Sequence, residues 1–406
     1  MSFYKRTIDD ISIRNKTILL RADYNVPLSD NGRITNEYRL QASLPTLRQL
    51  LKHNCKIVII SHLGRPHGKR VEGLSLEPVA KRLSELLGNE VRFIDDTIGH
   101  KVKTAIKSSP LGSVTMLENL RFCPGEESND ESFAEALAED SRAEYFVQDG
   151  FSVVHRAHAS TEAITHYLPS VAGYLVEREY EFFTTALMQP KRPLVALLGG
   201  AKIGDKIQII KRFIKLADQV IIGGAMANTF LEYNGKVIGK SVYELGQHGI
   251  ISDIYDAVEK KVGEELADNF LILPSDVAVA GAINATEPRR VVGVNEVSPD
   301  DYILDIGPET IERMANAVSR AQTALWNGTL GMTELPEFAH GSARAALALA
   351  ESRGISIIGG GDTVGFVLDW DSRDGASFTH VSTGGGATLD LVAGKKLPGI
   401  ESLLDA

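Results

Sequence analysis

The chain alternates short β-branched apolar runs with longer amphipathic segments, and that alternation sets the first expectation of the fold. KTILLRADYN, KIVIISHLG, EVRFID, SVTMLEN and AEYFVQDG read as strands that run out into polar or glycine residues. Between them lie segments with helical spacing, such as LQASLPTLRQLLKHN and LEPVAKRLSELLG. Strand, break and helix in that order predict βαβ units and a parallel sheet. From His166, HYLPSVAGYLVEREYEFFTTALMQPKRP reads as one long helical stretch that closes at a proline-containing break. The alternation then resumes with PLVALLGG, DQVIIGG, NFLILPSDV, TALWNG, GISIIGGGD and FTHVSTGGG, each read as one strand. The fold class expected is α/β, with two doubly wound, Rossmann-like parallel-sheet domains. Their expected boundaries are 1–170 and 191–387, joined by an interdomain helix over 171–190. The tail 388–406 is too short for a domain and is expected to pack on something already built.

Length agrees with two domains, because single cores stop growing near ~250–300 residues and this chain has 406. Apolar residues at 43% and charged residues at 24% match an ordinary globular protein. The N-terminal MSFYKRTIDDISIRNK lacks the apolar core of a signal peptide, and no long apolar run follows. A cytoplasmic location is therefore expected, with no membrane role. The two cysteines, Cys55 and Cys123, lack metal-ligand spacing and are expected to be ordinary thiols. A formal net charge of -10 argues against nonspecific nucleic-acid binding. An anionic substrate would need a local basic patch.

Such a patch is legible in the first half. Asp23 and Asn25 follow the first strand, where they could bind hydroxyls or simply form a turn. Arg39 lies near a helix start, SHLGRP brings His62 and Arg65, LENLRF brings Arg121, and HRAHAS brings His155, Arg156 and His158. One such arginine alone is usually a solvated surface charge, and one histidine a satisfied structural residue. Strand exits of a parallel sheet converge, so together Arg39, His62, Arg65, Arg121 and Arg156 could surround one small polyanion. Arginine suits phosphate and carboxylate because its planar fork makes paired hydrogen bonds.

Glycine loops mark the second half. GGAKIGDK places Lys202 and Lys206 after a strand, IIGGAMANTF separates strand from helix at Gly223 and Gly224, and IIGGGDTVGF leads through Gly359, Gly360 and Gly361 to Asp362 and Thr363. Glycine permits tight turns anywhere in an α/β fold. Several such loops with a lysine and an aspartate suggest a nucleotide phosphate site, with Asp362 able to reach a magnesium ion. NGKVIGKS is one residue short of a P-loop, and GGGDTVG misses the dinucleotide spacing, which weakens an oxidoreductase reading.

Taken in order, RADYNVP, ITNEYRL, SHLGRP, LENLRF, HRAHAS, GGAKIGDK, ILDIGPET, WNG, GGGDT and HVSTGGGA resemble the phosphoglycerate kinase family over essentially the whole chain. That resemblance implies magnesium-dependent phosphoryl transfer between 1,3-bisphosphoglycerate and ADP, with hinge closure and a monomer. It implies 3-phosphoglycerate binding by Asp23, Tyr24, Asn25, Arg39, His62, Leu63, Gly64, Arg65, Arg121 and Arg156. It implies ATP or ADP binding by Gly200, Ala201, Lys202, Lys206, Gly223, Gly224, Asn327, Glu334, Gly360, Gly361, Asp362 and Thr363, with Asp362 on Mg2+ and Glu334 at the ribose. Arg39 and Lys202 are the implied catalytic pair, and Thr383 with Gly384, Gly385 and Gly386 the implied hinge region. The chain departs from the family pattern at Gly150, Ser152, Val153 and Val154, at Thr329 and Thr333, and at Asn228 where an aromatic residue is common. Loss of proline at Thr329 would loosen the loop ahead of Glu334. A catalytically weakened, nucleotide-binding relative with a regulatory role is the alternative.

Overall fold

The computed structural model describes residues 3–29, 31–284 and 288–406. Packing divides the chain into two units, Met1–Phe183 with Gly394–Ala406, and Thr184–Ala393.

The first unit is built on strands β1 (Thr17–Arg21), β2 (Lys56–Ile60), β3 (Val91–Ile94), β4 (Val114–Leu117), β5 (Tyr145–Gln148) and β6 (Ser170–Ala172). They form one parallel sheet in the order β3-β4-β2-β1-β5-β6. Side chains alternate across a strand, and here both faces are covered: Ile18, Leu20, Ile57 and Ile59 enter one core, while Leu19, Val58 and Ile60 enter another. That is why the strands read as continuous apolar runs. Helices Tyr38–Lys52 and Glu77–Leu87 supply apolar stripes to the first of these cores.

The second unit repeats the plan with β7 (Leu194–Leu198), β8 (Gln219–Ile222), β9 (Leu271–Ile272), β13 (Thr323–Asn327), β14 (Ile355–Gly359) and β15 (His380–Val381), in the parallel order β15-β14-β13-β7-β8-β9. A separate antiparallel sheet of β10 (Asp276–Ala280), β11 (Arg290–Gly293) and β12 (Tyr302–Ile306) lies outside that plan. Among the described residues no helix is long and apolar enough to cross a membrane.

Two expected elements differ. The stretch from His166 is not one helix: Ser170–Ala172 pairs with β5 as the edge strand, and the helix is Tyr174–Met188. Likewise NFLILPSDV is not one strand. Phe270 ends a helix, Leu271–Ile272 joins the parallel sheet, and Asp276 opens the antiparallel one beyond Pro274.

The terminal segment packs within the first unit. Lys5 Nζ donates to Leu403 O at 2.9 Å and to Asp405 Oδ1 at 2.6 Å, and Gly399 N donates to Val154 O at 2.9 Å.

One buried carboxyl ties that unit together. Asp149, just past β5, accepts from Leu175 N at 2.9 Å and Thr46 Oγ1 at 3.0 Å, linking the two helices that carry them. Burial pushes its carboxyl up to about 7, from 3.8. A raised folded-state value means that the stabilising contribution of the protonated form is full below the unfolded value and is lost as pH rises through about 7. The melting temperature of the wild type should therefore fall relative to Asp149→Asn by roughly 2–6 °C between pH 5 and pH 8. A pH-independent gap between the two proteins would contradict the assignment.

Candidate functional site

The first unit gathers its basic side chains where the strands end. Arg21 closes β1, and its guanidinium is buried: Nε donates to Ser160 Oγ at 2.8 Å, and Nη2 lies 3.1 Å from His62 Nδ1 and 3.9 Å from Glu126 Oε1. Burial lowers Arg21 to about 10, which leaves it charged near neutrality. His62, beyond β2, is held well below the usual histidine range by burial and then by Arg21, Arg121, Arg39 and His158. A neutral imidazole that accepts at Nδ1 carries its proton at Nε2, so His62 retains one N–H donor. His158 is likewise held down to about 4, by burial first and then Arg21. Glu126 offsets part of this charge, accepting from Ser160 Oγ at 2.6 Å and Ser160 N at 3.1 Å.

Around that centre stand the other expected residues. Arg39, on the second position of its helix, pairs with Asp23 Oδ2, and Ser152 Oγ donates to the same carboxylate oxygen. Arg39 Nη1 also reaches Ser152 Oγ at 3.3 Å. Burial lowers Arg39 to about 10. Asn25 N donates to Asp23 Oδ1 at 3.2 Å and Asn25 Oδ1 accepts from Gly64 N at 2.8 Å, which joins the β1 and β2 exits. Arg121 donates from Nη1 to Gly64 O at 2.8 Å and faces Glu127 at 3.2 Å. Arg121 is lowered chiefly by burial, and Arg156 and Arg65 act on it in the same direction. Arg156 is half-buried with Nε on His155 Nε2 at 3.1 Å, and Arg65 is exposed. Tyr24 and Leu63 turn into the core, where Tyr24 Oη shares a hydrogen bond with Ser43 Oγ at 2.9 Å. Their side chains carry the strand exits and do not join the cluster.

In the second unit the glycine loops interlock through the backbone. Gly199 N donates to Asn327 O at 2.9 Å, Gly200 N to Thr329 O at 2.9 Å, Gly224 N to Leu330 O at 3.0 Å and Met226 N to Gly200 O at 2.8 Å. A Cβ on Gly199 would lie 2.1 Å from Thr329 O, so no side chain is tolerated at that contact. Lys206 Nζ donates to Gly199 O at 2.5 Å and Asn327 O at 3.3 Å, across the β7 and β13 exits. Thr363 is buried, its Oγ1 accepting from Gly328 N at 2.7 Å, while Lys202, Ala201, Gly361 and Asp362 are exposed. Gly360 has φ +90°, and a Cβ there would meet Asn327 Nδ2 at 2.9 Å. Asn327 is 2% exposed, yet Nδ2 has no hydrogen-bond partner. A buried amide donor left unpaired beside a glycine loop fits a phosphate or ribose oxygen as its acceptor.

These loops wall a cleft of about 290 Å³ that includes Gly200, Ala201, Gly224, Glu334 and Asp362. Its far wall comes from the antiparallel sheet and the following loop, including Val277, Leu304 and Leu330. Among the described residues no group of three or more histidine, cysteine or acidic side chains could hold a metal. One exposed carboxylate, Asp362, suits Mg2+, which commonly binds one or two carboxylates and completes its shell with phosphate and water. Without proline, the Thr329 loop is held by hydrogen bonds to its neighbours. Thr329 O, Leu330 N and Met332 N are all bonded, to Gly200 N, to Ser342 Oγ at 3.0 Å and to Leu304 O at 2.8 Å.

Several residues in these sites escaped the sequence reading. Arg21 carried a signal, being a charge at the end of an otherwise apolar strand. Glu126 carried none, while Ser160 lies within HRAHAS and Leu304 and Ile306 within ILDIGPET, motifs in which these residues were given no role.

The fold and its sites define a class: a two-unit parallel α/β protein with a basic cluster in one unit and a glycine-walled cleft in the other. Comparison with known proteins gives the family. The family model described as phosphoglycerate kinase matches residues 8–395. The phosphoglycerate kinase of Moorella thermoacetica is 44% identical over 402 residues, covering 99% of each chain. That of Chlorobaculum tepidum is 44% identical over 405 residues, covering 99% of this chain and all of the other. Solved phosphoglycerate kinase structures from Coxiella burnetii and Pyrococcus horikoshii OT3 superpose with TM-scores of 0.82 and 0.84, at 35% and 31% identity, each covering 98% of both chains. The chain belongs to the phosphoglycerate kinase family.

The Gly360 geometry makes a specific demand. Gly360→Ala puts a side chain at positive φ and against Asn327, so ADP affinity measured by calorimetry should fall by at least roughly tenfold. 3-Phosphoglycerate affinity should stay within about twofold, since a clash confined to the second unit leaves the basic cluster intact. Equal loss of both affinities would contradict this division.

Proposed function

We propose that the protein catalyses reversible, magnesium-dependent phosphoryl transfer between 1,3-bisphosphoglycerate and ADP, yielding 3-phosphoglycerate and ATP. The observation that carries this reading is the gathering of Arg39, His62 and Arg121 at the exits of one sheet, in a chain of this family. Asp23, Asn25, Arg39, His62, Arg65, Arg121 and Arg156 are assigned to the phosphorylated acid. Gly200, Ala201, Lys206, Gly223, Gly224, Asn327, Glu334, Gly360, Gly361 and Thr363 are assigned to ADP or ATP, with Asp362 holding Mg2+. When bound, the ion neutralises charge on the phosphate oxygens.

Phosphoryl transfer leaves the protein chiefly to position and to stabilise charge. The attacking group is a carboxylate in one direction and the β-phosphate of ADP in the other, so no general base is required. Arg39 and Lys202 supply cations to the moving phosphoryl group. Lys202 suits that task as an exposed ammonium beside the glycine loop of β7. Each ligand is assigned to a different unit, and on this reading a hinge motion of the two units is part of the catalytic cycle. Thr383 with Gly384, Gly385 and Gly386 is assigned as its pivot. Water excluded in that state protects the acyl phosphate from hydrolysis. On the same reading the protein works as a cytoplasmic monomer on small molecules, and its net charge of -10 supports excluding nucleic acid as a partner.

In a coupled assay, Lys202→Ala should lower kcat by about 10²–10³-fold while KM values for both substrates change only a few-fold. Unchanged turnover would remove Lys202 from the mechanism.

A further inference from the structure

The helix Gly224–Tyr233 begins at the glycine pair of the cleft and presents Asn228 four residues further on. Asn228 is 1% exposed and lines the same cleft as Gly200, Gly224 and Asp362. Its Nδ2 donates to Val242 O at 3.0 Å, and Val242 lines the cleft as well. Only the amide nitrogen can donate, so this bond fixes which way the side chain is turned. Oδ1 is then buried without a hydrogen-bond partner. A buried carbonyl oxygen that lacks a donor bears its full desolvation penalty, which a ligand carrying an N–H would relieve.

The surroundings define that ligand. Val277, Leu304, Ile306 and Leu330 give the cleft an apolar lining, suited to a flat heteroaromatic ring. Glycine loops and Asp362 mark the other lining as the phosphate side. Among purines, adenine carries an exocyclic amine at C6, where hypoxanthine and guanine carry an oxygen acceptor. We infer that Asn228 Oδ1 accepts a hydrogen bond from the exocyclic amine of adenine, making Asn228 a specificity-determining residue that favours adenine nucleotides over 6-oxopurine nucleotides. This rests on the nucleotide reading of the cleft.

Calorimetric titration of the full-length protein with ADP, purine riboside 5′-diphosphate and IDP tests the inference. The wild type should bind ADP roughly three- to tenfold more tightly than the analogue with hydrogen at C6, and more tightly still than IDP, whose oxygen faces Oδ1. In Asn228→Leu the three affinities should converge to within about twofold. Melting temperatures establish that the variant is folded, and the wild-type comparison needs no variant. Equal wild-type affinities for ADP and the analogue overturn the inference. So does a variant that weakens all three ligands in parallel, as a purely structural Asn228 would, or one that keeps the preference for ADP. Failure of the wild type to bind any of the three would overturn the nucleotide reading itself, a result distinct from binding without discrimination.

Discussion

Holding several guanidinium groups together at the exits of one sheet is the constraint on which the first unit depends. Like charges in a water-poor setting repel strongly, and each loses hydration. The surrounding residues offset that cost in identifiable ways. Glu126 lies buried near Arg21, Asp23 pairs with Arg39, and Glu127 faces Arg121. His62 and His158 are kept neutral and so add no further positive charge. The cluster keeps its cations and retains N–H donors, the combination an anionic ligand needs. Ser160 and Ser152 then fix geometry, each bonded to both an arginine and an acidic partner.

The second unit solves the opposite problem. It has few cations at its cleft, and it relies on backbone approach. Gly199, Gly224 and Gly328 stand where a Cβ would strike another main chain, so the loops lie closer together than any side chain allows. Lys206 uses its charge to bind carbonyl oxygens of two of these loops. Its role in shaping the site is therefore architectural as well as electrostatic. Lys202, on the same loop, is exposed.

Much of this was legible in the chain. The parallel strands were, because a sheet covered on both faces demands unbroken apolar runs, and each run ends where a polar residue or glycine begins. The convergence of Arg39, His62 and Arg121 followed from that topology. What escaped detection was short or lacked a period. Ser170–Ala172 has three residues, too few to show alternation. Arg290–Gly293 is exposed at its start, and Val292 alone of its side chains packs, half-buried, against a core, too little to show alternation. NFLILPSDV mixes the end of a helix and two strands in one apolar stretch, and periodicity cannot divide it. Part of the cleft wall, Pro274 and Val277, fell in that stretch and was missed with it. Arg21 was overlooked for a different reason: an arginine at a strand end resembles a solvated charge until its neighbours are known.

The central claim is that these two sites serve one transfer reaction. The most direct measurement follows ATP consumption with magnesium, with and without 3-phosphoglycerate, while acyl phosphate formation is recorded. The account predicts that consumption requires 3-phosphoglycerate and matches acyl phosphate formed. ATP hydrolysis independent of 3-phosphoglycerate, or no consumption in its presence, would contradict it.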